Sequence, residues 1–436
     1  MVTRREMLKN ISMAGGVLFL PLCEIARAED IPYISGDELS GNYEKKQCHV
    51  TVGPCDSEAD FRGSMQKVIQ SAIDYIARYG GGTIQILPGV YRFSNAIYLS
   101  SHTKIIGNGP SSIFVKEPSV ETEFIKDADW YEQSISVAHP ERFKIGDGLC
   151  IRTKNPHHGG VVVIKRTIIS IDGNRLILDK ALRENVWLGQ ETTIATLFPL
   201  ISGEFVENIT IKNLVLDGNK ENNLNLDGNY AGCIWLQDCK KVSIRNVEAR
   251  NYNGDGISWQ IVHDVVVDNC YSHDNTGLGL HPGSGSQRPK MINNQIENND
   301  IGIFFCGGVQ NGVAEGNQIQ NNRVGISIGH RDNNNWIHKN IITDSRECGI
   351  LFREEQERFT AIGNKIEENV IRNIKLNNGT GISILGLTKG NEICNSKILE
   401  NGEKNEKVGI RIAKTAQDNV VKDNKIKGFA KDIVVD

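Results

Sequence analysis

From residue 256 onward, aliphatic side chains alternate with other residues in short bursts, and each burst follows a glycine. The bursts read Gly256-Ile257-Ser258-Trp259, Gly277-Leu278-Gly279-Leu280, Gly302-Ile303-Phe304-Phe305, Gly325-Ile326-Ser327-Ile328 and Gly349-Ile350-Leu351-Phe352. A period of two is the signature of a strand with one buried face. The glycines step by 21, 25, 23 and 24 residues, and a column of Asn246, Asn269, Asn294, Asn317, Asn340 and Asn364 keeps time with them. Two registers sharing one period of roughly 20–25 residues indicate a solenoid. The strands are too short for a helical repeat and too closely spaced for propeller blades. The pattern therefore predicts an all-β chain folded as a right-handed parallel β-helix, with equivalent positions stacked about 4.8 Å apart. The asparagines are expected to stack amide on amide and satisfy the backbone of the turns.

Outside these rungs the pattern changes twice. Residues 61–79 carry apolar residues at helical spacing, with Met65, Val68, Ile69, Ala72, Ile73 and Ile76 on one face. A helix there would cap the open end of the apolar core, which a solenoid requires. Residues 119–200 lose the period and alternate like antiparallel strands around turns such as Asp172-Gly173-Asn174. The resulting division is an N-terminal segment at 1–28, a cap with the first rungs at 29–118, an inserted β-rich lobe at 119–200 and regular rungs over 201–436. Two stretches exceed the period, 217–230 and 368–380. Long insertions in a solenoid are loops on one face, often the binding face.

Composition narrows the partners. The 436 residues include 44 glycines and 23% charged residues, with a net charge of −4, so nothing points to nucleic acid. A polyanionic sugar polymer remains compatible if a local basic patch exists. The N-terminus, Thr3-Arg4-Arg5-Glu6-Met7-Leu8-Lys9, matches a twin-arginine export signal. An apolar stretch from Ile11 to Leu22 follows, too short for a membrane span, and then Ala26-Arg27-Ala28 at signal-peptidase spacing. The expectation is export by the twin-arginine machinery to the periplasm or beyond, with no span left after cleavage. Nine cysteines follow the signal. Cys48 and Cys55 are near enough in sequence to bridge. Cys233, Cys270, Cys306, Cys348 and Cys394 fall on or near the repeat, where cysteine behaves as a small apolar residue. No Cys/His spacing resembles a zinc site, and no cofactor is expected. The loop Asp217-Gly218-Asn219-Lys220-Glu221 is the one place for calcium, although it lacks the glycine and closing glutamate of an EF-hand.

With the rungs in place, Gly80 to Gly109 resembles the N-terminal signature of the pectate-lyase-like superfamily of right-handed β-helix proteins: a Gly-rich turn, a strand, Leu87-Pro88-Gly89-Val90-Tyr91, then Gly107-Asn108-Gly109. The twin-arginine start makes the chain similar to exported repeat proteins of this kind. The resemblance implies the fold and a polysaccharide or oligosaccharide substrate. Lyases, hydrolases, epimerases and phage tailspikes share that fold. Asn253-Gly254-Asp255-Gly256 is similar to the Asn-Thr-Asp-Gly motif of polygalacturonases. The next rung carries Leu280-His281-Pro282 instead of paired carboxylates, and Arg-Ile-Lys is absent from its expected place.

Within each Gly-Ile-x-Ile-x burst the x positions face outward. Counting four residues from each glycine gives an outward column of Gln260, His281, Cys306, Gly329 and Arg353, preceded by Gln237. Two residues earlier lie Trp235, Ser258, Gly279, Phe304, Ser327 and Leu351. His330-Arg331-Asp332 and Glu354-Glu355 follow the strands. This stripe suits a uronate polymer. Its C5 proton becomes acidic once the carboxylate charge is neutralised, a task for Arg331 and Arg353. His330 or His281 would serve as base or acid. Gln237, Gln260 and Asp332 would bind substrate, with Trp235 and Phe304 stacking on sugar rings. The expected activity is a polysaccharide lyase or C5 epimerase. The alternatives are a glycoside hydrolase using Asp255 with Glu354 or Asp332, and a non-catalytic glycan-binding envelope protein.

Overall fold

The structure, a computed structural model, describes residues 48–436, so the expected signal peptide lies outside the described residues. Successive rungs each contribute three short strands. Leu278–Pro282, Lys290–Ile292 and Gln295–Glu297 form one rung, and Ile301–Phe304 opens the next. All pairing between rungs is parallel. Among the described residues, eleven strands from Ile97–Tyr98 to Lys431–Val435 stack into one sheet. The other two faces join into a second, longer parallel sheet. This is the right-handed parallel β-helix expected from the period.

The core is a column of aliphatic residues, one per strand: Ile257, Leu280, Ile303, Ile326, Ile350, Ile382 and Ile410 on the first sheet, each fully buried. The capping helix runs over Gln66–Ala77 and buries Ile69, Ala72, Ile73 and Ile76. It is shorter than the 61–79 pattern suggests, because Phe61–Arg62 pairs as a strand with Val52 and Gly53. The inserted lobe is a seven-stranded antiparallel sheet between Glu121 and Ala195. It has its own core around Ile135, Ile151, Ile168 and Leu176. At its base lies a fully buried lysine, Lys116. Its Nζ sits 4.4 Å from the Phe198 ring centroid and hydrogen-bonds Asn223 Oδ1. Burial lowers its pKa to about 7. No helix among the described residues is long and apolar enough to cross a membrane.

Three expectations need correction. The repeating glycine at the second rung is Gly279, not Gly277, because Ile257 pairs with Leu280 and Ser258 with His281. The true column is Gly256, Gly279, Gly302, Gly325 and Gly349, stepping by 23, 23, 23 and 24. A Cβ at Gly302 would lie 2.5 Å from the carbonyl oxygen of Gly325, and one at Gly325 equally close to that of Gly349. Only glycine fits where consecutive turns approach so closely.

The asparagine column also separates. Asn294, Asn317, Asn340 and Asn369 form one buried ladder: the side-chain oxygen of Asn294 accepts from the Cys270 N–H, and each later one from the backbone N–H of the asparagine before it. Asn364 belongs to another ladder, with Asn335, Asn391 and Asn419. Asn246 and Asn269 sit one position earlier in their rungs, exposed and left-handed at φ 51° and 52°. Finally, Cys48 and Cys55 are both free. The extended strand Cys48–Gly53 holds them apart.

Candidate functional site

The outward face of the eleven-stranded sheet carries two side-chain columns. Strand register places Tyr98, Ser202, Trp235, Ser258 and His281 on one line. The neighbouring register extends it through Phe304, Ser327 and Leu351. Two residues further along each strand, Gln237, Gln260, Gly283, Cys306, Gly329 and Arg353 form the second line. His281 thus leaves the column assigned to it by sequence and joins Ser258 and Phe304. The glycine shift described above is the cause, and Gly283 takes the vacated place under the Gln260 amide.

His281 and Asp255 form a buried pair, each side chain 3% exposed. His281 Nδ1 lies 2.8 Å from Asp255 Oδ2 and 3.3 Å from Ser258 Oγ. The other Asp255 oxygen accepts the Leu278 N–H at 2.9 Å. Part of the long 217–230 loop closes over them. Gly228 packs against the carboxylate so tightly that no Cβ would fit, and its carbonyl accepts from Ser258 Oγ. Burial opposes a charge on His281. The Asp255 bond and the neighbouring Cys306 outweigh it and raise the pKa to about 9. Nε2 is buried without a hydrogen-bond partner.

Two and three rungs further on, a more open cluster gathers. Arg353 Nη1 donates to Ser327 Oγ at 2.9 Å, and its guanidinium lies 4.4 Å from the Phe304 ring centroid. Glu355 lies 3.6 Å from Arg353 Nε and 3.7 Å from His330 Nδ1, so one carboxylate reaches both side chains. His330 stacks on Phe359 at 4.1 Å and stays 37% exposed. Arg331 Cζ lies 5.3 Å from the same ring. Both His330 and Arg331 have positive φ, so this turn turns two side chains outward in succession. Asp332 is fully buried and accepts the N–H groups of Gly308, Val309 and Gly329. Burial pushes its pKa up to about 6 against the pull of Arg353. It holds the turn rather than facing the groove. Glu354 is exposed on the loop beyond.

At the other end the line runs into a cleft of about 340 Å³ between the lobe and the first rungs. Tyr98, Lys165, Glu204, Trp235 and Gln237 line it. Trp235 does not offer a free face. It is 2% exposed, Lys165 Nζ lies 3.1 Å from its ring centroid, and its Nε1 donates to Asn229 O. Burial lowers the Lys165 pKa to about 8. Gln260 is likewise enclosed, its Oε1 accepting the Ser284 N–H at 2.7 Å. The sequence pattern singles out neither Lys165 nor Tyr98, and it marks Glu355 only as following its strand, with no role. Lys165 comes from the aperiodic lobe, which gave no register to place it by.

Comparison with known proteins agrees with the architecture. Residues 206–366 match the family model described as a right-handed beta helix region. The chain is a right-handed parallel β-helix protein. Among solved structures, the A-module of the Azotobacter vinelandii mannuronan C-5 epimerase AlgE4 superposes with a TM-score of 0.52 at 16% identity, covering 84% of this chain and 92% of that one. A structure titled glycoside hydrolase superposes with a TM-score of 0.54 at 12% identity, covering 86% and 96%. No curated protein matches in sequence.

Of the three carboxylates considered for hydrolysis, Asp255 and Asp332 are buried with their oxygens engaged, and Glu354 is exposed. The calcium candidate Asp217 accepts from Arg250 Nε at 2.9 Å and from the Asn219 N–H at 3.0 Å. Among the described residues no group of three or more His, Cys, Asp or Glu side chains is placed to hold a metal.

Proposed function

We propose that this protein is an exported carbohydrate-active enzyme that moves the C5 proton of a uronate-containing polymer, acting as a lyase or a C5 epimerase. The observation that supports this most directly is the sharing of Glu355 between an accessible imidazole, His330, and a guanidinium, Arg353. A uronate carboxylate near Arg353 and Arg331 would have its charge neutralised, which acidifies C5–H. His330, with Glu355 near its Nδ1, would take that proton through Nε2. Breaking the C4–O4 bond then forms a C4=C5 double bond, and the departing oxygen takes a proton. Returning the proton to the opposite face of C5 gives the epimer instead. Phe304 and Phe359 supply apolar surfaces for the sugar rings. A hydrolase needs two carboxyls about 5–10 Å apart and open to the bond. The burial of Asp255 and Asp332 disfavours that route.

The test is incubation of the mature protein with pectate, alginate and glycosaminoglycans in deuterated buffer. Ultraviolet absorbance, reducing ends and deuterium at C5 are followed together. Absorbance rising with reducing ends identifies a lyase. Deuterium incorporation without chain cleavage identifies an epimerase. His330→Ala and Arg353→Ala should each abolish either signal. Reducing ends without absorbance would overturn the proposal in favour of hydrolysis, and binding without turnover would favour a glycan-binding protein. Twin-arginine export is part of the same proposal. Replacing Arg4 and Arg5 with lysine should leave the protein in the cytoplasm.

A further inference from the structure

The Asp255–His281 pair has a neighbour that the proton-transfer reading does not use. The backbone N–H of Cys306 donates to the carbonyl of Pro282, the residue after His281, at 3.0 Å. Cys306 lies on the next rung, in the column beside that of His281, and is close enough to help raise the imidazole's pKa. Asp255 fixes Nδ1, which leaves Nε2 directed away from it, buried and without a partner. Six cysteines, Cys150, Cys233, Cys239, Cys270, Cys348 and Cys394, are buried, whereas Cys306 is partly exposed. The other polar group on the pair is the Ser258 hydroxyl, and the Phe304 ring, 5.4 Å from the imidazole between centroids, carries the Arg353 guanidinium.

We propose that Asp255 and His281 together make Cys306 a nucleophilic thiol, a modification site for soft carbon electrophiles and activated disulfides. Asp255 holds His281 as the imidazolium, whose Nε2–H faces the sulfur and stabilises the thiolate as the thiol proton leaves to water. With iodoacetamide the sulfur forms a bond to the methylene carbon as the carbon–iodine bond breaks and iodide leaves. The outward column read from the sequence sets Cys306 after His281, but spacing conceals the approach of Asp255 to the imidazole and marks Cys306 only as outward.

The test is limiting iodoacetamide on the folded full-length protein at pH 6 and pH 8.5, with labelled cysteines identified by peptide mass. An unassisted thiol loses about tenfold in rate per pH unit below about 8.5. The exposed Cys55 serves as the internal reference. Cys306 should label at least tenfold faster than Cys55 at pH 6, and His281→Gln and Asp255→Asn should each remove that advantage. Equal labelling of Cys306 and Cys55 at pH 6 in the wild-type protein would overturn the proposal, whether or not the variants fold. So would an advantage that survives in a folded His281→Gln protein.

Discussion

The buried Asp255–His281 pair makes stability depend on pH in a way that can be worked from the structure. The His281 pKa rises from 6.5 to about 9 on folding. A raised histidine pKa means that the folded state binds its proton more tightly. The stabilisation is complete below pH 6.5 and is lost as pH climbs through 9. A shift of about 2.5 units at 1.36 kcal/mol each gives an upper figure of about 3 kcal/mol. Wild-type protein alone cannot isolate this effect. Lys116 and Lys165, whose pKa values fall to about 7 and about 8, change stability with the opposite sign over an overlapping range. His281→Gln keeps a side chain able to donate to Asp255 but removes the titration. Urea midpoints of both proteins from pH 6 to pH 10 give the difference directly, provided the slopes match. The wild type should exceed the variant most at pH 6, and the gap should narrow by about 3 kcal/mol by pH 10. A gap that stays constant across that range would refute the reasoning and mean that His281 is neutral in the fold.

Other positions give equally direct tests. Asn317→Ala would strand the Asn294 N–H and the Met291 carbonyl in the interior, each bonded to the Asn317 amide at about 3 Å. At about 1–3 kcal/mol per buried unsatisfied group, it should lower the urea midpoint far more than Asn246→Ala in the exposed turn. Gly302→Ala should destabilise by about 1–3 kcal/mol or more through overlap with the Gly325 carbonyl, and a thermal melt should show it. Lys116→Met should gain on the wild type as pH falls from 10 to 7, by up to about 3.5 kcal/mol, because the wild-type lysine resists carrying its charge in the core. Urea midpoints at the two pH values measure this.

The solenoid was legible because a fold that repeats in space must repeat in sequence. Its register was not legible at the rung where Gly277 and Gly279 each precede leucine. Only the packing of Gly279 against the next turn decides between them, and that error moved His281 by one column. The cluster of His330, Arg331 and Arg353 could be read in advance, since two neighbouring rungs and a turn bring the residues together. The burial of Asp255 and His281 could not, because the loop that covers them lies outside the periodic strands. Nor could the loss of the Trp235 face, which is covered by Lys165 from a lobe with no period to align. Cys306 stands directly after His281 in the outward column that the sequence predicts, yet its place on the repeat reads there as that of a small apolar residue.

The asparagine ladders and glycine column carry a consequence for how such a molecule can change length. Every buried amide depends on one rung before it and one after it, and on nothing further away. Duplicating one whole unit, such as residues 302–324, would present each column with the partner it already recognises. The groove would lengthen by about 4.8 Å and so reach further along a polymer. Inserting a few residues within the strand–turn frame would instead put two ladders and the glycine column out of step together. Growth and shrinkage by whole turns is thus the mode of variation this architecture tolerates, while its loops remain free to vary in any increment.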